Sequence, residues 1–379
     1  MHRLAADALH QHLQRKSVFL LGPRRTGKSF LLRHQCRADR AYDLLQSDVY
    51  QRLAARPWLL REDLGPNDRL VVVDEIQKIP ALLDEVHGLI ESRDIRFVLS
   101  GSSARKLRRA QVPTLAGRAR LLAMFPLVRA EIAEFDLDRA LRFGLLPPVW
   151  LADDPWDELK SYAGEYLHEE IRAEALARRI EGFARFLRSA ALTHGELVNF
   201  ESVGRDSGVP ARTVREYYQV LVDTLLGDLV EPWQVPVRKA VSHGKFYFFD
   251  NGVVHALLGA RDLPEGTVAY GTAFEAWVHH ELRAWLARSG SDLPLRFWRT
   301  ADGAEVDFVL GDGSVAIEVK ATKAAETRDA RGLRALAEAT PLGRQVLVSR
   351  DPSRRRIGPV EVWPAAEFAL AVAAGEFGG

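Results

Sequence analysis

Val18-Phe19-Leu20-Leu21-Gly22-Pro23-Arg24-Arg25-Thr26-Gly27-Lys28-Ser29 decides the fold of the first part of this chain. Four apolar residues read as a buried strand. The next eight match G-x-x-x-x-G-K-[ST] in full, and Phe30-Leu31-Leu32 continues as an apolar helix. Glycines at 22 and 27 let the backbone turn and aim N–H groups at phosphate oxygens, and the helix that follows adds its N-terminal dipole. The loop Gly22, Pro23, Arg24, Arg25, Thr26, Gly27, Lys28 and Ser29 is thus expected to bind nucleotide. Lys28 would reach the β- and γ-phosphates, and the Ser29 hydroxyl would ligate Mg²⁺.

Working outward, Leu70-Val71-Val72-Val73-Asp74-Glu75 supplies a second apolar strand ending in two acids. An α/β sheet binds its ligand at the C-terminal ends of its strands. Asp74 is expected in the Mg²⁺ shell, and Glu75 is expected to activate or orient the attacking water. Arg96–Ser100 is a third apolar strand, and Ser100, or alternatively Ser102, is placed to touch the γ-phosphate or that water. Arg118 precedes a fourth strand, Arg120–Met124. It serves either as an arginine finger completing a neighbour's site or as an ion-pair partner within its own subunit. No N-K-x-D guanine-reading motif occurs, so ATP is the expected cofactor, with Mg²⁺.

Helical stretches between these strands predict an α/β fold with a parallel sheet. Pro147-Pro148 and Asp153-Asp154-Pro155 place a boundary near 150. From Trp156 to Leu226 the pattern is helical. Glu201–Ser207, a Gly208-Val209-Pro210 turn and Ala211–Leu226 read as helix–turn–helix. A hairpin follows, Leu229–Val237 and Lys245–Phe249, which gives the winged-helix order; a helical lid with an appended hairpin is the plainer reading. The last segment reads α-β-β-β-α-β: helix Thr272–Ala287, strands Leu295–Arg299, Glu305–Leu310 and Val315–Val319, helix Thr327–Ala339, strand Gln345–Ser349, then a final helix near Pro364–Ala374. The expected division is 1–150, 151–250 and 251–379.

The quoted loop, Val73-Asp74-Glu75-Ile76-Gln77-Lys78-Ile79-Pro80, Leu99-Ser100-Gly101-Ser102-Ser103 and Leu115-Ala116-Gly117-Arg118 look like the AAA-type ATPases of bacteria and archaea that carry a C-terminal domain of unknown function. Gly271-Thr272-Ala273-Phe274-Glu275 and Glu305-Val306-Asp307-Phe308 extend the resemblance over essentially the whole chain. It implies an AAA-like core, a winged-helix segment and a C-terminal fold similar to (D/E)xK nucleases. Phe30 stands where relatives often have threonine.

Glu318 and Lys320 lie two apart on one strand and face the same side. With Asp307, and Glu275 on the preceding helix, they form the set expected to hold one or two metal ions while Lys320 positions a water for phosphodiester attack. The other reading is a nuclease-like fold used only for docking, its acids solvated or paired.

The 379 residues carry 52 basic and 51 acidic side chains, so no global charge argument for nucleic acid exists and any basic surface is local. Arginine clusters at Arg105–Arg120, Arg212–Arg215 and Arg350–Arg356 are candidates for phosphate contact. Cys36 is the single cysteine, which excludes a disulfide framework and suits a reducing compartment. No apolar run approaches the ~18 residues of a membrane span, and the N-terminus lacks a signal-peptide core. The expectation is therefore a cytoplasmic, oligomeric, ATP-hydrolysing protein acting on DNA, branched DNA included. The competing class is an ATP-driven signalling or scaffold switch with a silent C-terminal domain.

Overall fold

The computed structural model describes residues 1–102, 117–166, 180–235 and 241–378. Ser103, Leu115-Ala116, most of the Arg105–Arg120 cluster and the end of the expected strand Leu229–Val237 lie outside the described residues.

Five strands form the first sheet: β1 (Ser17–Leu21), β2 (Arg40–Asp43), β3 (Leu70–Asp74), β4 (Arg96–Gly101) and β5 (Ala119–Ala123). Their order is β2-β3-β4-β1-β5 and every pairing is parallel. Alternation along each strand builds two apolar layers. Phe19, Leu21, Val71, Val73, Phe97 and Leu99 enter one; Val18, Leu20, Val72, Val98 and Leu122 enter the other. That is why these strands read as unbroken apolar runs: both faces are covered. The pairing of Val18 with Val98 and of Val72 with Val98 sets the register. It brings the ends of β1, β3 and β4 to one edge of the sheet.

By packing, the chain divides into two compact units. The first is Met1–Pro126 with two short later pieces, and the second takes in the rest. Leu127, Ile132, Leu141 and Leu145 pack with the second unit's core around Trp277, Phe297 and Phe308.

In the second unit, helix Phe200–Ser207 begins on Asn199, whose side chain accepts from the Glu201 and Ser202 N–H groups. It ends on Gly208 at φ 66°, a left-handed cap that glycine tolerates at least cost. Helix Ala211–Asp223 follows. β6 (Gly227–Val230) pairs antiparallel with β7 (Lys245–Phe248), and Leu197 makes an antiparallel bridge to Lys245. Phe183, Phe186, Tyr217, Tyr218, Phe246 and Phe248 fill the core of this region.

Helix Val268–Ser289 leads into β8 (Leu295–Arg299), β9 (Glu305–Leu310) and β10 (Val315–Val319), with the bounds expected for all three strands. Helix Arg331–Ala339 follows, then β11 (Arg344–Ser349), β12 (Arg355–Ile357), β13 (Val360–Pro364) and helix Ala365–Ala374. The sheet order is β12-β13-β11-β10-β9-β8, with β10–β11 and β11–β13 parallel and the rest antiparallel. Phe308 and Ile317 on one face pack with Trp277 and Phe368; Trp298 and Leu347 on the other pack with Leu333 and Leu336 of helix Arg331–Ala339. No helix among the described residues is long and apolar enough to cross a membrane.

Candidate functional site

The loop after β1 closes on itself. Lys28, only 5% exposed, donates through Nζ to the carbonyls of Gly22 at 2.7 Å and Pro23 at 2.9 Å. Thr26 Oγ1 donates to the Pro23 carbonyl at 2.9 Å. Gly27 sits at φ 96° and Arg25 at φ 63°, so the turn passes twice through left-handed backbone. The glycine at 22 is needed for a different reason. A Cβ there would lie 2.3 Å from the Met124 carbonyl oxygen, so close backbone approach to the end of β5 excludes any side chain.

Ser29, on the first turn of helix Lys28–His34, donates through Oγ to Asp74 Oδ2 at 2.8 Å. Ser100 Oγ donates to the other carboxylate oxygen of Asp74 and accepts the Glu75 N–H at 3.2 Å. The helix after the loop and the end of β4 therefore bring Ser29 and Ser100 onto the Asp74 carboxylate at the end of β3, with Glu75 beside them. Ser102 is buried one step beyond. A hydroxyl and a carboxylate beside a phosphate-binding loop are the oxygen donors Mg²⁺ takes. The residues present fit a Mg²⁺–nucleotide, with Ser29 and Asp74 as its protein donors.

Two further participants have no role assigned from the sequence. Gln77, inside the D-E-I-Q run, donates through Nε2 to Glu75 Oε2. Glu75 itself sits at φ 61°, a left-handed conformation uncommon outside glycine. Arg3 is 4% exposed. Its guanidinium donates to the Thr26 carbonyl of the loop, to Phe125 O at 2.9 Å and to Pro126 O at 3.3 Å. It ties the nucleotide loop to the segment after β5.

Arg118 is not at this edge. Ala119 pairs with Ser17 at the start of β1, five residues before Gly22, so Arg118 lies at the opposite end of the sheet, roughly 16 Å along the strand direction. There it forms an ion pair with Glu91. It does not complete the site of its own chain.

In the second unit, β9 and β10 place Phe308 opposite Ile317, so Asp307 and Glu318 are the next residues along. Val319 N donates to Asp307 Oδ2 at 2.8 Å, and Lys320 Nζ donates to Glu318 Oε1 at 2.5 Å. Glu318 and Lys320 do share a side, as their spacing requires. Burial pushes the Asp307 carboxyl up to about 7, with Glu275 a secondary cause, and raises Glu318 well above the carboxylate range, with Asp307 adding to it. Desolvation leads in both, ahead of the like-charge repulsion.

The expected metal set of Glu275, Asp307 and Glu318 does not assemble. No group of three His, Cys, Asp or Glu side chains among the described residues is arranged to hold a metal ion. The physical reason is Lys245 of β7, whose ammonium stands 3.0 Å from Glu275 Oε1, 2.5 Å from Glu305 Oε1 and 4.0 Å from Asp307 Oδ1. Tyr247 OH donates to the same Glu275 oxygen. Lys245 and Glu305 are the members of this cluster that the sequence reading missed.

Of the arginine clusters, Arg212 is 92% exposed beside Glu216, while Arg215 covers the Phe200 ring at 4.8 Å. Arg350 is held by Glu265 at 2.9 Å and Arg354 by Glu367 at 2.9 Å, so that cluster is largely committed to ion pairs.

Residues 14–133 match a family model described as an AAA domain. Residues 134–263 and 270–368 match two domains of unknown function, DUF8612 and DUF4143. Two uncharacterized proteins, one of Mycobacterium bovis and one of Mycobacterium tuberculosis, are each 29% identical over 323 residues, covering 81% of this chain and 70% of the relative. A solved structure, the Aeropyrum pernix ORC1 protein in complex with DNA, aligns with 14% identity and a TM-score of 0.26, covering 66% of this chain and 89% of that one. The AAA match spans the nucleotide loop, Asp74, Glu75, Gln77 and Ser100, and with the parallel sheet it supports an AAA-type P-loop fold for residues 14–133.

Proposed function

We propose that the protein binds and hydrolyses ATP and couples that cycle to DNA. The observation that carries the nucleotide half is the convergence of the Ser29 and Ser100 hydroxyls on Asp74, with the Glu75 N–H on Ser100, beside a loop whose lysine is already buried. Lys28 leaves the Gly22 and Pro23 carbonyls and takes phosphate oxygens in their place. The loop N–H groups and the helix N-terminus bind the same anion. Ser29 and Asp74 would hold Mg²⁺, which offsets charge on the phosphates. Glu75 orients and deprotonates the attacking water, and Ser100 fixes the strand end from which Glu75 projects. Arg118, remote from its own loop, serves a neighbouring copy in a homo-oligomer.

The DNA half rests on the order of elements from Phe200 to Phe248, which is that of a winged helix, with Arg212 exposed on its second helix. It rests also on the second unit's α-β-β-β-α-β order, which is that of (D/E)xK nucleases; this module docks DNA. The three-part division into an ATPase domain, a winged-helix segment and a nuclease-like domain agrees with the spacing of the three family matches. The test is ATP turnover with and without duplex, single-stranded and branched DNA, and stimulation by at least one of them is expected. The paired acids of the C-terminal cluster favour one second reading, an ATP-driven scaffold switch with a silent C-terminal domain. Turnover indifferent to every DNA would select it.

A further inference from the structure

We propose that the acidic cluster of the second unit is a metal-free centre whose resident cation is Lys245, so that this domain binds without cutting. The proposal is independent of the ATPase reading, since every residue it uses belongs to the second unit.

Three observations carry it. First, the side chain of Lys245 is 4% exposed and lies among the Glu275, Glu305 and Asp307 carboxylates, in hydrogen-bonding contact with the first two. An ammonium there holds the space a divalent ion would need. A second cation a few ångströms away would meet its repulsion at low dielectric. Second, the remaining acid is spoken for by a different amine, Lys320 on Glu318 Oε1, while the Val319 N–H takes one oxygen of Asp307. Third, helix Arg331–Ala339 packs its backbone close to the cluster. A Cβ on Gly332 would lie 3.0 Å from Glu318 Oε2 and 1.8 Å from the Glu305 carbonyl.

The lysine comes from β7, while the acids come from helix Val268–Ser289 and from β9 and β10. The same contact thus clasps the β6–β7 hairpin to the helix and the mixed sheet. Replacing one partner of such a buried cluster leaves uncompensated charge, which is costly. The cluster is a structural joint.

Mn²⁺ binding by the nucleotide-free full chain, counted by electron paramagnetic resonance at millimolar Mn²⁺, tests this. Wild type and Asp307→Asn are expected to bind the same number of ions, because the Asp74 site is common to both. Neither should cut linear, flapped or four-way DNA with Mg²⁺ or Mn²⁺. Lys245→Met should gain one Mn²⁺, which the double variant Lys245→Met/Asp307→Asn loses again. An ion present in wild type and absent from Asp307→Asn overturns the proposal, as does cleavage abolished by Asp307→Asn. A folded Lys245→Met that gains no ion overturns the assignment of Lys245 to the cation's place. If Lys245→Met does not fold, the wild-type and Asp307→Asn pair decides.

Discussion

Gln77 reaches back two residues and donates through its side-chain amide to the Glu75 carboxylate, while Glu75 itself is held at φ 61°. Glu75, the acid proposed to activate water, is thus aimed by a neighbour on the short 3₁₀ turn Ile76–Lys78 and by the Ser100 hydroxyl on its N–H. Glu75→Gln should retain ATP and lose hydrolysis by about 10²–10⁴-fold, the usual contribution of a positioned base. Turnover at the wild-type rate in this variant would remove Glu75 from that role.

Gln77→Ala should lower kcat about tenfold through lost orientation of Glu75. ATP affinity should not change, because the Gln77 amide is directed at Glu75 rather than at the loop Gly22–Ser29. A drop in affinity with kcat unchanged would show that Gln77 supports the loop instead. Steady-state turnover paired with equilibrium nucleotide binding separates the two.

Lys28→Ala should abolish tight ATP binding, since the ammonium that now holds two loop carbonyls is the group proposed to take the phosphates. Arg3→Ala reaches the same loop from outside. It leaves the Thr26, Phe125 and Pro126 carbonyls short of a buried donor, which costs about 1–3 kcal/mol of stability. ATP binding should weaken as the loop loosens, and Arg3→Lys should recover part of both losses. Thermal unfolding that shows no change in Arg3→Ala would contradict the bracing role.

Much of this was legible in the sequence, and the exceptions have physical causes. Strands β1, β3 and β4 are covered on both faces, so continuous apolar runs announce them. β2 (Arg40–Asp43) escaped because it is a four-residue edge strand with its first two residues exposed. β12 escaped because its arginines read as a surface cluster, and β13 because Pro364 reads as a helix start. The nucleotide site is local in sequence, so motif spacing finds it. The acidic cluster is assembled by tertiary packing, and nothing in the pattern of β7 marks Lys245 as different from any strand lysine. Arg3 was invisible for the same reason.

Arg118 lies at the far end of the sheet from its own loop, in an ion pair with Glu91. If it acts on nucleotide, it acts in trans. ATP should therefore drive assembly of a ring or open oligomer. Arg118→Ala should lower turnover while sparing nucleotide affinity, and mixing it with Lys28→Ala subunits should restore part of the activity. A strictly monomeric protein that is fully active under ATP would end this reading.

The second unit should lose stability as pH rises through neutrality. Burial pushes Asp250 up to about 6, Asp307 up to about 7 and Glu281 up to about 8. A carboxyl raised in the folded state favours folding most fully when protonated, below its unfolded value near 4. That contribution is lost as pH climbs through the folded value, so the window runs from about pH 4 to pH 8. Glu281 is the cleanest probe, since its Oε1 accepts the Arg129 N–H at 2.7 Å and a glutamine oxygen accepts equally well. Glu281→Gln removes the ionisation and keeps the bond. It should match wild type near pH 5 and exceed it at pH 9 by about 4 kcal/mol, at about 1.4 kcal/mol for each of the roughly three pH units between pH 5 and the folded value of about 8. Melting curves recorded from pH 5 to pH 9 measure this directly: the wild-type midpoint falls faster than the variant's. Parallel curves across the range would mean that Glu281 stays ionised in the folded protein and that its burial is offset by contacts to the charged form.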